Sequence, residues 1–284
     1  MIYHSIQDLL NLAKEYQIPL WEVVCRADME ERQVTKEQSF ETMHRMYEAM
    51  KQADNAYDKD LKSASGLAGG DGEKLHCYNA AGKNIAGEYI GLVMEKAVKM
   101  GESNACMKRI VAAPTAGACG VIPAVFLAYQ EYFRAEEQKM VEAMYLTAGI
   151  GAVIAENASI AGASGGCQAE IGAAVAMGAA MVSYLRGQTM RQIEYAAEIG
   201  IEHHLGLTCD PVGGYVMIPC IERNAVGVLR AMDAAVLAEG ISDLREHKVS
   251  FDMVVNTMNY TGRKIPIELR ETSLGGLARV VPLK

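Results

Sequence analysis

The chain has 284 residues, 50% hydrophobic and 22% charged, and a formal net charge of −8. That acidic balance argues against a nucleic-acid partner, because phosphate binding draws on a basic face. Its 7 cysteines are odd in number and spaced unlike a disulfide framework. Asp8, Lys14 and Glu15 interrupt the start, so no secretory leader is read and a reducing cytoplasm is the expected compartment.

Residues 1–62 read as an N-terminal arm of charged amphipathic helices, ahead of a larger unit over 63–284. Ser5 stands as an N-cap before Leu9, Leu10 and Leu12. Pro19 opens a second segment with Leu20, Val23 and Val24. A third runs from Thr35 to Asp60, with Met43, Met46, Tyr47 and Met50 at helical spacing. Composition then shifts at Lys62-Ser63-Ala64-Ser65-Gly66-Leu67-Ala68-Gly69-Gly70-Asp71. Its hydroxyls and glycine N–H groups can converge on an anion; a surface linker has the same composition.

Gly87 to Met100 is helical in pattern. Ala113-Pro114-Thr115-Ala116-Gly117-Ala118-Cys119-Gly120 is a Gly-rich turn feeding an apolar segment from Val121 to Tyr132. Unpaired N–H groups at such a helix start suit a carboxylate or phosphate; an ordinary helix-to-helix turn reads alike, and the Walker signature is absent. Lys139 to Asn157 is a helix with Gly149 and Gly151 inside it. Each glycine costs about 1 kcal/mol relative to Ala, tolerable where a neighbouring helix packs close.

The uncharged run Ile171–Leu185 would extend roughly 22 Å as a helix, short of the ~30 Å hydrocarbon core. We read it as a buried helix rather than a membrane span, continuous with Gln168, whose stripe of Gly172, Ala176 and Ala180 permits close approach. Gln188 to His204 is amphipathic and ended by Gly206; Pro219–Glu239 and Ser250–Thr261 are again helical. Nothing alternates with period two for long. The fold class is therefore all-α, a single large helical domain.

The chemistry gathers between Gly162 and Cys220. Gly165-Gly166-Cys167-Gln168-Ala169-Glu170 lies at one end and Cys209-Asp210-Pro211-Val212-Gly213-Gly214-Tyr215-Val216-Met217-Ile218-Pro219-Cys220 at the other. Thiolates are soft ligands suited to zinc or iron–sulfur clusters. The spacing matches neither a zinc ribbon nor a bacterial ferredoxin, so from spacing alone three buried free thiols fit it better than a metal site does. His203 and His204, in the last turn of their helix, are either dipole partners or proton carriers.

These stretches, in this order and with Glu271-Thr272-Ser273-Leu274-Gly275-Gly276-Leu277-Ala278 at the end, resemble the α subunit of iron–sulfur-dependent L-serine dehydratase over essentially the whole chain. The resemblance implies a carbon–oxygen lyase that converts L-serine to pyruvate and ammonia. It implies a [4Fe–4S] cluster on Cys167, Cys209 and Cys220. Substrate contacts are implied at Ser63, Ser65, Gly66, Thr115, Ala116, Gly117 and Asn157. Cys25, Cys77, Cys106 and Cys119 fall outside the ligand motifs and read as packing residues. The chain resembles the split form of the family, which needs a separate β subunit; that subunit, His203 or His204 would supply the proton acceptor. A cysteine desulfidase with a related cluster domain, or a non-catalytic cluster-binding subunit, are the rival readings.

Overall fold

The computed structural model describes residues 1–241 and 249–282. His247 and the terminal Leu283 and Lys284 lie outside the described residues. Among the described residues there is no strand, only a lone parallel bridge between Cys209 and Arg270.

Three helices open the chain: α1 (Ile6–Tyr16), α2 (Leu20–Arg32) and α3 (Lys36–Asn55). Ser5 caps α1 as its sequence position predicts, its hydroxyl accepting from the Asp8 N–H at 3.0 Å. Thr35 and Gln38 form a reciprocal capping box at the start of α3. These helices place Leu9, Val23 and Tyr47 in the same core as the rest of the chain. Phe40 sits between Trp21 and Tyr145, with ring centroids 5.9 and 5.3 Å away. The helical spacing of Met43, Met46, Tyr47 and Met50 overstates the buried stripe: Met46 is 45% exposed and Met43 only half-buried. A periodic pattern locates a face but not its edges.

Next come α4 (Asp71–Ala80), a stretch to which the sequence reading assigns no element, α5 (Glu88–Ala105), α6 (Val121–Phe133) and α7 (Glu137–Asn157). A single short turn, α8 (Gly162–Gly165), and one π-turn over Gln168–Gly172 lead into α9 (Ala173–Leu185). The helix read as continuous from Gln168 thus begins with a wider turn, a distortion common at functional sites. Then follow α10 (Met190–Glu202), α11 (Cys220–Ile241), α12 (Phe251–Lys264) and the short α13 (Leu277–Val280).

Helix α9 is the axis. It is apolar on every side and packs against α6, α7, α10 and α11. Burying each of its larger side chains contributes about 1.5–3 kcal/mol. Its small residues let backbones meet: a Cβ on Gly200 of α10 would lie 2.9 Å from the Ala176 Cα. The α7 glycines are used the same way, Gly149 against Val24 and Gly151 against Met177. Close packing thereby offsets their helix-propensity cost. Among the described residues, no helix is long and apolar enough to cross a membrane.

Candidate active site

The three motif cysteines arrive from separate segments. Cys167 sits between α8 and the π-turn, Cys209 in the stretch after α10, and Cys220 is the first residue of α11. All three are buried and free. Gly166 turns the chain into Cys167 at φ +74°, and a Cβ there would lie 2.7 Å from the Leu207 carbonyl oxygen. The fully buried Gln168 fastens this turn: its amide donates to the Met258 carbonyl at 2.8 Å and its oxygen accepts from the Gly206 N–H at 2.9 Å. Cys209 is clamped by the C-terminal segment, donating its N–H to Leu269 at 2.8 Å and accepting from the Glu271 N–H at 2.7 Å.

A hydrogen bond joins the Cys167 and Cys209 thiols, holding Cys167 below the ordinary thiol range and Cys209 above it. Burial, and then the negative charge of Cys167, pushes Cys220 up to about 12. Arg223, one turn into α11, ties two of these segments together. It donates to the Thr208 carbonyl at 2.8 Å and pairs with Asp210 at 2.8 Å, and its charge favours the Cys167 thiolate. Asp210 in turn accepts from the Leu277 N–H at 2.9 Å.

The Gly-rich turn before α6 meets the same place. The Thr115 hydroxyl donates to Glu170 Oε1 at 2.8 Å, and Cys209 Sγ lies 3.7 Å from Glu170 Oε2. Gly117 and Gly162 both face this carboxylate: a Cβ on either would come within 2.8 Å and 2.7 Å of it, respectively. Burial raises the Glu170 carboxyl above the usual range. Asn224 joins the turn to the third cysteine, its amide donating to the Gly117 carbonyl at 2.7 Å and the Cys220 carbonyl at 2.8 Å. Ala116 is exposed, its carbonyl accepting from Asn104 at 3.1 Å.

Ser63 and Ser65 share a hydrogen bond of 3.0 Å, and the Ser65 hydroxyl reaches Met217 Sδ at 3.0 Å, three residues before Cys220. Gly66 turns the loop at φ +74°. The anion onto which this loop's N–H groups converge is the protein's own Glu102. That carboxylate, on α5, accepts from Gly69, Asp71 and Gly72 at 3.1, 2.7 and 3.0 Å and from the Tyr57 hydroxyl at 2.7 Å.

Asn157 is engaged structurally: its amide donates to the His4 carbonyl at 2.6 Å and the Val153 carbonyl at 2.9 Å. His203 and His204 stand just past α10, with Nδ1 atoms 2.9 and 2.7 Å from the Ile199 and Gly200 carbonyls. Burial lowers the His204 pKa. Both line a cavity of about 640 Å³ that also touches Arg223, Glu222 and Arg230. Two others of about 650 and 680 Å³ lie elsewhere, beside Tyr3 and Trp21, and none of the three is lined by a motif cysteine. Donor chemistry, not cavity size, marks the site. Cys25 and Cys119 are packing residues as read, and Cys106 is half-buried; Cys77 is exposed, so the packing reading fails for it.

Glu102, Glu170, Asp210 and Arg223 are the residues to which sequence reasoning assigned no role. Glu170 and Asp210 carried a signal, each standing in a cysteine motif, and Glu170 also opens the long uncharged run.

An all-helical chain with three buried, unpaired thiols gathered from distant segments is, by its donor set, suited to a soft metal centre. Comparison with known proteins narrows this. The family model described as serine dehydratase alpha chain matches residues 15–278. The chain is 38% identical to the probable L-serine dehydratase, alpha chain, of Bacillus subtilis, across 98% of this chain and 91% of that one. It is 35% identical to the L-serine dehydratase, alpha chain, of Peptoniphilus asaccharolyticus, across 97% and 94%. With an L-serine dehydratase of Helicobacter pylori identity is 39% over 98% of this chain, which spans 62% of that longer protein. The chain belongs to the serine dehydratase alpha chain family.

Proposed function

We propose that this chain is the α subunit of a two-chain L-serine dehydratase, a cytoplasmic lyase that converts L-serine to pyruvate and ammonia. The observation that carries the reading is the donor set: three free thiols from three segments, buried around Arg223 and Glu170, in a chain of this family. Those residues fit a [4Fe–4S] cluster on Cys167, Cys209 and Cys220, since the thiols are soft and unpaired in disulfides. Such a cluster, held by these thiolates, would supply Lewis acidity toward a departing hydroxyl.

The chain's own residues do the rest. Arg223 holds Cys167 beside Asp210 and places a positive charge against the ligand thiols. The Ser63 and Ser65 hydroxyls, next to Met217, and the Thr115–Gly117 turn, tied to Cys220 by Asn224, offer donors that orient a small polar substrate. His203 and His204, lining the cavity behind Arg223, are this chain's candidates for carrying the Cα proton, beside a residue of the β subunit. The β subunit is supported by the names of the Bacillus and Peptoniphilus proteins, which are alpha chains.

The test is anaerobic reconstitution with iron and sulfide, then pyruvate release from L-serine and sulfide release from L-cysteine, with purified β chain titrated in. Pyruvate formation that rises to a plateau at fixed stoichiometry is expected. Full iron loading with no turnover of serine at any β concentration would refute the reading.

A further inference from the structure

We propose that Glu170 is the seat of the substrate's α-ammonium group, and so the residue that selects an α-amino acid over an acid lacking the amine. This rests on the dehydratase reading and adds the substrate group that the site holds by charge.

Glu170 is 8% exposed, and an ionised carboxylate accepts at about four positions. The structure supplies one donor at full hydrogen-bond strength, the Thr115 hydroxyl at 2.8 Å. The other contact, Cys209 Sγ at 3.7 Å, is a weak donor that has no proton to give once it ligates a metal. Among the described residues no lysine, arginine or histidine forms an ion pair with Glu170. Arg223, the cation of the site, is committed to Asp210, Thr208 and Cys167. The exposed Glu271 adds negative charge from the C-terminal side. A buried carboxylate so short of donors is costly unless a cation joins it.

The surroundings keep that cation's place small. Gly117 and Gly162 bring bare backbone against the two carboxylate oxygens, and a methyl at either would collide with them. An ammonium carries three donors in a compact head, which suits a partner so closely walled. The same carboxylate touches Cys209, so an amine seated on it is held beside the thiols proposed to carry the cluster.

L-Alanine and propanoate differ only in the ammonium, and neither can lose water. Their dissociation constants are measured by anaerobic calorimetry on cluster-loaded wild type, Glu170→Gln and Glu170→Asp, with iron content read on each. Wild type should prefer L-alanine by roughly 30-fold or more, the effect of a desolvated charged partner. In Glu170→Gln the preference should fall below about threefold with iron retained. Glu170→Asp, which withdraws the carboxylate by one methylene, should lower the preference severalfold with iron retained and serves if the Gln variant does not fold; an undiminished preference there overturns the proposal as well. An undiminished preference in Glu170→Gln overturns the proposal. So does loss of iron there, which would make Glu170 a support for Cys209. A wild type that makes pyruvate from L-serine yet shows no preference for L-alanine overturns this inference alone. One that binds neither ligand and makes no pyruvate fails the dehydratase reading first.

Discussion

Replacing Arg223 with Met keeps most of the side-chain length and removes the charge that joins Cys167, Thr208 and Asp210. The Asp210 side chain is 6% exposed and that of Arg223 18%, so the pair is screened little by solvent. Breaking such a pair by removing one partner costs about 3–5 kcal/mol, mostly from the buried charge left behind. Asp210 keeps the Leu277 N–H at 2.9 Å, which argues for the lower end. About 3 kcal/mol is roughly a 150-fold change in the unfolding equilibrium. With a urea dependence near 3 kcal/mol per molar, the midpoint should fall by about 1 M. Urea titration of the metal-free protein reads this, with thiol labelling as a second probe of the cysteine segments. Adding Asp210→Asn should recover part of the loss, because no unpaired charge remains. A midpoint shift under about 0.3 M at unchanged slope would refute the reasoning and reduce the pair to the worth of a surface contact.

Serine at Cys167, Cys209 or Cys220 should cut iron retention, because a hydroxyl is a poor replacement for a thiolate, while Cys25→Ser and Cys106→Ser should load normally; iron assay after desalting decides. Gly162→Ala places a methyl 2.7 Å from Glu170 Oε2 and 3.0 Å from Cys209 Sγ, so it should lower iron retention and cost about 1–3 kcal/mol in urea. His204 is held below its ordinary pKa by burial, so its neutral form stabilises the fold above pH 6.5 and that stability is lost as pH falls toward the folded value. Wild type should therefore lose stability relative to His204→Gln below pH 6.5, by at most about 1.4 kcal/mol per pH unit; parallel pH dependences would contradict it.

Helix existence was readable because it is a local property. Ser5 announces α1, and the interior glycines of α7 announced a close neighbour before Val24 and Met177 were seen to be it. What escaped is nonlocal. Glu102 lies in an ordinary amphipathic helix, and nothing in its own stretch shows that its carboxylate reaches a loop more than thirty residues upstream. The loop's own composition announced an anion without saying that the chain carries it. Glu170 stood in a recognised motif, yet its meaning comes from Thr115 and Gly117, brought in by α6. Periodicity also blurred at the edges: Met46 fits the stripe in sequence and faces outward in the structure.

The tether on Glu102 has a competitive consequence for the Ser63–Gly70 loop. A covalently attached carboxylate rests among the N–H groups of Gly69, Asp71 and Gly72 at an effective concentration of order millimolar or higher, set by the chain rather than by the solution. A free acid would have to displace it from a position already held by Tyr57 as well. The backbone of this loop is therefore closed to passing metabolite anions at ordinary concentrations. On the proposed reading of the site, discrimination at this edge falls to the hydroxyl pair of Ser63 and Ser65 and depends on matching a hydrogen-bond pattern rather than on gathering negative charge.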